Sequence, residues 1–531
     1  MRYSDFSSVA QKVFLSGCRG WMCWLGLLFV CHPLFAAHVD RLQGSRAALS
    51  YLAERYGDVE IEMEEVLADV DSLERPPYYL YNFYCEKDSG MLVVASDDRL
   101  GPVVGFTTNG YVSEVAKLPV SFRLWLQMLE REVRRVQTDP KYDKRQLRGT
   151  YGFKLPIAVD PLLRTTWGQR YPYNASCPVD SAHGGVRCLT GCTATAMAQV
   201  MNYHRWPIEG AKGVFYKEGY HDRFMERFFP MGRYEWGAYK SSYSMRDTLN
   251  ERSGIAHIGD LLFHCGSALR ASYCSRVTRA AAYRIRLGLI NNFNYSIETS
   301  YMEADMMSPR EWHYLLRKEL SGRRPVCYDL SAYHEWRNAG HVWVCDGYNK
   351  EGLYHFNWGW DGWLDGYYAL VDLPPVRMPY GQEKRPFCSQ GIVYGIHPEG
   401  KGDIGAGLIK IYEGKRIDSD SKRQLRKVFR ATVLFETQGS FCDSVELGFG
   451  VYRKGKLLGT AFSSSCFSKK CFISRPVYFA FPESWADGKY QLRMIYRRRK
   501  GVVHAARVSW KNSEKVVMNV LLKGKDVFVL N

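Results

Sequence analysis

Cys192, His341, Asn357 and Gln169 are the residues whose types could together carry nucleophilic chemistry in this chain. Cys192 follows Gly191 at the head of "GCTATAMAQVMNYHRWP", residues 191–207. That run reads as a buried helix, because Ala194, Met197, Ala198 and Met201 share one face. A cysteine in apolar surroundings is most often a small hydrophobe. This one stands at a helix start, where unpaired N–H groups and the helix dipole favour an anion, and the thiolate is the reactive form. The glycine before it leaves room for another chain to approach.

A thiol nucleophile needs a base, and the base needs an orienting partner. The stretch "AGHVWVCDGYNKEGLYHFNWGW" reads as strand, turn and strand, with His341 on the first strand and Asn357 near the end of the second. A turn centred on Asn349 predicts that His341 faces Asn357 across the hairpin. The amide oxygen would then hold one ring nitrogen and leave the other for the thiol, with sulfur and ring nitrogen roughly 3–4 Å apart. A histidine on an apolar strand is usually a packed core residue; the asparagine partner and the long Cys-to-His separation weigh against that here. Acyl transfer also needs donors for an oxyanion. The Cys192 N–H supplies one, and the side-chain amide of Gln169 in "RTTWGQRYPYN" is the candidate for another, although a loop glutamine is more often simply solvated.

The elements that must position these residues belong to a chain of 531 residues, enough for roughly two to four domains. With 46% hydrophobic and 14% aromatic residues it can bury large cores. The formal charge is +17, and residues 401–531 hold 26 Lys and Arg against 11 Asp and Glu, a net +15. No nucleic-acid-binding motif accompanies this charge, so it reads first as a solvated basic face, with an anionic surface as the partner it would suit. At the N-terminus, Arg2, Lys12 and Arg19 precede the apolar run 21–35 and the small residues Ala36 and Ala37, the pattern of an export signal over 1–37. The run is short for a membrane span, and no second long apolar stretch follows, so the mature chain is expected outside the cytoplasm without a transmembrane segment: secreted, periplasmic or held at the cell surface. Of 15 cysteines, Cys18, Cys23 and Cys31 lie in the signal. Export permits disulfides among the rest, but their pairing is not readable.

After the signal, helical and strand-like stretches over 38–150 form a small α+β unit that ends in the exposed basic linker "TDPKYDKRQLRGTYG". An aromatic-rich middle spans 151–400. From 401 to 531, short strands between turn signals, among them "FRATVLFET", "SVELGFGVYR", "PVYFAFP" and "YQLRMIYRR", predict an all-β sandwich-like domain independent of the catalytic machinery.

Four segments in order, "WGQRYPYN", "GCTATAMAQVMNYHRWP", "GHVWVCDGY" and "HFNWGWDGWLDGYYAL", resemble the streptopain family (C10) of papain-like cysteine peptidases. The stretch "GMLVVASDDRLGPVVGFTTNGYV" resembles the segment that precedes the peptidase domain in that family. The likeness covers about 40–400. It implies an α+β fold: a papain-like cysteine peptidase domain preceded by an α+β propeptide, here followed by the β domain. It implies Cys192 as nucleophile, His341 as general base, Gln169 in the oxyanion hole, Asn357 orienting His341, and Trp358 as the tryptophan shielding that pair. It further implies synthesis as a zymogen that cleaves protein or peptide substrates after maturation, with no cofactor and no metal. A metalloprotease reading of "HEWRN" fails because Asn338 stands where the second histidine would be, and Asp361 and Asp365 are too few for a Ca²⁺ loop. "WGWDGWLDGYY" is expected as a packed aromatic loop beside the site.

The departures are a richness in cysteine, with Cys188 and Cys345 close to the proposed site and open between core and disulfide roles, and an aromatic insertion at 215–249 that could form a lip over the cleft. The segment 331–340 differs from the family's glycine-rich loop, which bears on substrate preference. Two other functions compete: a catalytically silent secreted adhesion or binding protein of the same fold, and a thioester transferase such as a transglutaminase.

Overall fold

The structure, a computed structural model, describes residues 38–66, 76–86, 88–139, 155–209, 233–243, 252–296, 298–304, 307–334, 337–371 and 387–398. It also describes short strands at 216–218 and 224–225, and, in the tail, 408–412, 428–438, 445–462, 472–480, 484–498, 503–505, 517–523 and 526–530. The export signal, most of the basic linker and most of the insertion at 215–249 lie outside the described residues. The chain divides into two compact units, Met1–Ala281 with His313–Cys388, and Ala282–Trp312 with Ser389–Asn531.

The first unit is built on an antiparallel sheet with strand order Ile61–Glu65, Tyr78–Cys85, Ser89–Ala95, Val103–Thr107, Gly366–Tyr368, Tyr354–Asn357, Arg337–Tyr348, Val326–His334. The N-terminal segment contributes the first half. Helix Arg41–Tyr56 starts at Asp40, whose carboxylate takes the Gln43 N–H while Gln43 reaches back to the Asp40 N–H; this reciprocal cap satisfies two donors that the helix leaves open. Its Ala48 and Leu52 pack on Tyr79, Tyr81, Phe83, Leu92, Val94 and Phe106, the buried face of the strands. The join to the second half is the pairing of Thr107, Phe106 and Gly105 with Gly366, Tyr367 and Tyr368. Gly366 is required there, since a Cβ would collide with the Phe106 carbonyl oxygen.

Helix Cys192–His204 lies against strand Arg337–Tyr348 and helix Arg252–Ala268. Residues Thr193–Met201 are all buried, including the four predicted inward positions. Gly191 precedes the helix at φ 85°, and a Cβ there would press on Thr278 at 3.0 Å. A left-handed residue in a tight place calls for glycine.

The hairpin register differs from the expected one. Val344, not His341, pairs with Asn357, and Tyr348 pairs with Tyr354. The ladder turns about Glu351 in place of Asn349, which carries Asn357 past His341; separately, a bulge between Cys345 and Gly347 leaves Asp346 outside the ladder and sets Asn357 opposite Val344 instead of Cys345. The cause is visible in Asp346 itself, which is fully buried. Its carboxylate accepts from the Leu163 N–H at 2.8 Å and faces His355 Nδ1 at 2.6 Å. Burial works against a charged His355, but the Asp346 carboxylate outweighs it and raises the imidazole pKa.

In the second unit, strands Ser300–Glu303 and Phe387–Tyr394 pair antiparallel. The tail forms two antiparallel sheets, Leu408–Tyr412 with Val428–Gln438 and Phe472–Ala480, and a larger one ordered Lys456–Phe462, Val445–Arg453, Gly488–Arg498, Val517–Lys523, Asp526–Leu530. The sheets meet through Lys456–Phe462 and Phe472–Ala480. Phe449 and Val451, Tyr490 and Leu492, and Val520 and Leu522 are buried at alternate positions, one apolar face per strand.

Replacing Asp346 by Ala strands the buried Leu163 N–H and His355. Asp346→Ala is expected to lower stability by ~3–5 kcal/mol, measured by urea unfolding, and Asp346→Asn, which keeps the Leu163 bond, by clearly less. Equal small losses for both would remove Asp346 as the anchor of the register.

Candidate active site

Cys192 occupies the first position of its helix and is half-buried. Its N–H has no protein acceptor among the described residues. The Thr193 hydroxyl lies 4.0 Å from the sulfur, and the Val342 N–H points toward it. The thiol therefore sits beside the backbone of the residue that follows His341. Burial raises the thiol pKa, opposed by the Val342 N–H and the Thr193 hydroxyl. Asp329, paired with Val342 across the sheet and itself buried, adds to the rise.

His341 is buried among aromatic rings, 4.9 Å from Trp360, 6.0 Å from Trp358 and 6.1 Å from Trp343 by centroids. Its Nε2 lies 2.8 Å from the Trp358 carbonyl oxygen. A carbonyl only accepts, so the proton is on Nε2 and Nδ1 keeps its lone pair. Burial pushes the imidazole pKa down to about 4, with the Trp358 carbonyl and Asp329 acting the other way. In this state the pair is a neutral imidazole and a protonated thiol.

Asn357 does not hold His341 here. Its Oδ1 accepts from Gln199 Nε2 at 2.9 Å and from the Gly359 N–H at 3.2 Å, and its Nδ2 donates to the Thr165 carbonyl at 2.6 Å. Gln199 Oε1 in turn accepts from the Thr165 hydroxyl at 2.8 Å and the Trp167 N–H at 3.2 Å. The register accounts for this: three positions along a strand lie on opposite faces, so a partner of Val344 does not face His341. The acceptor expected from the Asn357 amide is supplied by the backbone of the next residue.

Gln169 is half-exposed. Its carbonyl accepts from the Thr190 N–H, two residues before Cys192, at 3.2 Å, and its Nε2 donates to the Gly359 carbonyl over a long 3.5 Å. The Thr195 hydroxyl ties the adjoining Gly168 carbonyl to the nucleophile helix at 3.2 Å. Trp358 is fully buried, stacked on Trp360 at 5.1 Å and packed on Trp343 at 4.8 Å. The aromatic loop expected beside the site is this one.

Two contributors escaped the sequence reading. Gln199 lies seven residues after Cys192 and so on the same helix face; a fully buried amide in an apolar stripe is the signal that pointed to it. Asp329 carries no such signal. Cys188 and Cys345 are both buried, and Cys345 is a free thiol. Burial raises Cys345 well above the usual thiol range.

The N-terminal segment grips the loop that carries the Trp358 carbonyl. Thr107 Oγ1 donates to the Asp365 carbonyl at 2.6 Å, Asn109 Nδ2 donates to the Gly362 carbonyl at 2.7 Å, and the Leu364 N–H donates to the Asn109 carbonyl at 2.6 Å. From helix Val120–Thr138, Phe122 meets Trp358 and Tyr368 edge-on, each at 5.6 Å, and Trp125 Nε1 donates to the Ala369 carbonyl at 3.2 Å. The Asp365 carboxylate holds the Trp358 N–H at 2.8 Å, and burial pushes its pKa up to about 7.

The profile of the Peptidase C10 family matches residues 167–368, and that of the Spi protease inhibitor matches residues 36–133. Among characterised relatives, the thiol protease/hemagglutinin PrtT of Porphyromonas gingivalis is 28% identical over 80% of this chain and 49% of its own length, so the chain spans about half of that protein. Streptopain of Streptococcus pyogenes is 28% identical over 60% of this chain and 80% of its own. The solved structure of a prointerpain A fragment from Prevotella intermedia superposes with a TM-score of 0.51 at 25% identity, covering 64% of this chain and 100% of that one. The C10 match encloses Gln169, Cys192, His341 and Asn357 together, and the inhibitor match encloses the residues that grip the Trp358 loop: the chain belongs to the peptidase C10 family of papain-like cysteine peptidases and carries an inhibitor-like segment ahead of its peptidase domain.

Proposed function

We propose that this chain is the latent form of an exported cysteine endopeptidase. The observation that carries the reading is the placement of Cys192 at the N-terminus of a helix that packs on the strand bearing His341, a histidine whose Nδ1 keeps a free lone pair. In the active form the Cys192 thiolate attacks the carbonyl of a protein or peptide substrate. The Cys192 N–H and the Gln169 amide bind the oxyanion. His341 gives its proton to the leaving amine and then activates the water that hydrolyses the thioester. The loosely bound Gln169 side chain is free to turn to this task.

Latency follows from the grip on the loop 358–365. While Thr107, Asn109, Phe122 and Trp125 hold it, the Trp358 carbonyl keeps His341 in its buried neutral state. Cutting in the linker at 140–150 frees the loop. His341 then moves to the thiol and Trp358 shields the pair. The tail, net +15, supplies an attraction for anionic surfaces that weakens with salt.

The test is a purified chain before and after linker cleavage. Cutting is expected to raise peptide hydrolysis at least tenfold, and Cys192→Ala to lower the activity of the cut form by at least ~10³-fold. Equal turnover of the two forms would remove the latency, and an undiminished Cys192→Ala the peptidase reading. A thiol-directed peptide inhibitor should label Cys192 in the cut form; an unlabelled cut chain favours a silent binding protein, and transfer to amines in preference to water favours a transferase.

The histidine predicts a pH dependence of the uncut chain. Its folded pKa, about 4, lies below the ordinary 6.5, so the folded chain binds fewer protons than the unfolded one between these values. The contribution is full above about pH 6.5 and falls as pH drops toward 4, by ~3 kcal/mol in all. Unfolding free energies from pH 7 to pH 4 should show this slope in the native chain and lose it in His341→Gln; identical profiles would contradict it.

A further inference from the structure

Ahead of the nucleophile, the hairpin Val179–Asp180 and Val186–Arg187 carries a tight turn at Ser181–His183. Asp180 and His183 face each other across it, with His183 Nδ1 at 3.0 Å and 3.1 Å from the two carboxylate oxygens. A third side chain arrives from a distant part of the chain, Cys274, just after strand Ser272–Tyr273. One ligand atom from each of Asp180, His183 and Cys274 lies within 4.8 Å of the others. All three residues are half-buried, accessible yet sheltered. Among the described residues no other group of three or more such donors converges.

We propose that Asp180, His183 and Cys274 form a binding site for a divalent d-block cation of the zinc type, with water as the fourth ligand. Thiolate, imidazole and carboxylate suit a borderline-soft ion and not Ca²⁺ or Mg²⁺, which take oxygen shells. Bonds of about 2.0 Å to nitrogen and oxygen and about 2.3 Å to sulfur bring tetrahedral donors to about 3.3–3.6 Å of one another. Rotation of three partly exposed side chains closes the present spread to that geometry.

The supporting shell is already built. The Ser275 N–H donates to Asp180 Oδ2 at 2.9 Å, which leaves Oδ1 for the ion. The Cys274 backbone is pinned on both sides, its N–H to the Thr278 hydroxyl at 3.0 Å and its carbonyl to the same hydroxyl at 3.1 Å. Such outer contacts fix ligand orientation. On binding, the Cys274 thiol loses its proton to solvent. The ion takes the lone pair of one nitrogen of the neutral His183 imidazole, whose single proton sits on the other ring nitrogen, reached by exchange with solvent where it starts on the ligating one.

The site is joined to the nucleophile. The Cys274 carbonyl accepts from the Leu189 N–H at 3.2 Å, three residues before Cys192, and Thr278 packs against the position of Gly191. A bound ion cross-links the hairpin to this loop and so braces the turn that presents the thiol.

The test uses the full chain carrying Cys192→Ala, so that the nucleophile neither competes for metal nor cleaves the protein. After chelator treatment, Co²⁺ is titrated in. One equivalent should bind with a thiolate-to-cobalt charge-transfer band, and Zn²⁺ should displace it. On the same background, Cys274→Ser should abolish the band and His183→Ala should weaken binding about tenfold or more. Absence of a stoichiometric band, or a band that survives in both variants, would overturn the site.

Discussion

The hydrogen bond between His341 Nε2 and the Trp358 carbonyl is the contact on which the described state of the site depends. It sets the tautomer and holds the ring in a buried aromatic pocket, where burial, against the pull of the carbonyl itself, keeps the imidazole neutral. A backbone carbonyl holds that ring only as firmly as its own loop is held. Asp365 grips the loop from within, through the Trp358 N–H, and the N-terminal segment grips it from without, through Thr107 and Asn109.

That outer grip is of one piece with the fold. Strand Val103–Thr107 pairs with Gly366–Tyr368, so the inhibitor-like segment extends the peptidase sheet in place of merely covering it. Tyr368 belongs to this seam and meets both Phe122 and Trp125. Aromatic edge-to-face packing of this kind adds to the area it buries. A segment held by backbone ladder, side-chain bonds and rings at once leaves as a unit or not at all.

Burial also sorts the cysteines. Cys265, Cys327 and Cys345 lie in apolar surroundings that raise their thiols above the ordinary range, which makes them core residues. Among the described cysteines, Cys192 alone combines partial exposure with a helix N-terminus. Cys188, four residues earlier and ahead of the helix, is by contrast almost completely buried.

The chain's own pattern determined the buried helix behind Cys192, the strand bearing His341, the alternating faces of the tail and the family likeness, because these rest on residue types repeating at helical and strand periods. The tertiary structure alone decided the rest. The hairpin turns about Glu351 and not Asn349, which carries Asn357 past His341, and the bulge at Asp346 exists because a buried carboxylate answers Leu163 and His355. The bond from Asn109 to Gly362 spans 253 residues and leaves no mark in local spacing. Gln199 reads as one polar residue in an apolar stripe until Thr165 and Asn357 arrive to satisfy it. Periodicity is a property of neighbours along the chain. Which carbonyl reaches a histidine is set by packing among distant segments, since a buried polar group takes whichever partner the assembled core brings within hydrogen-bond range.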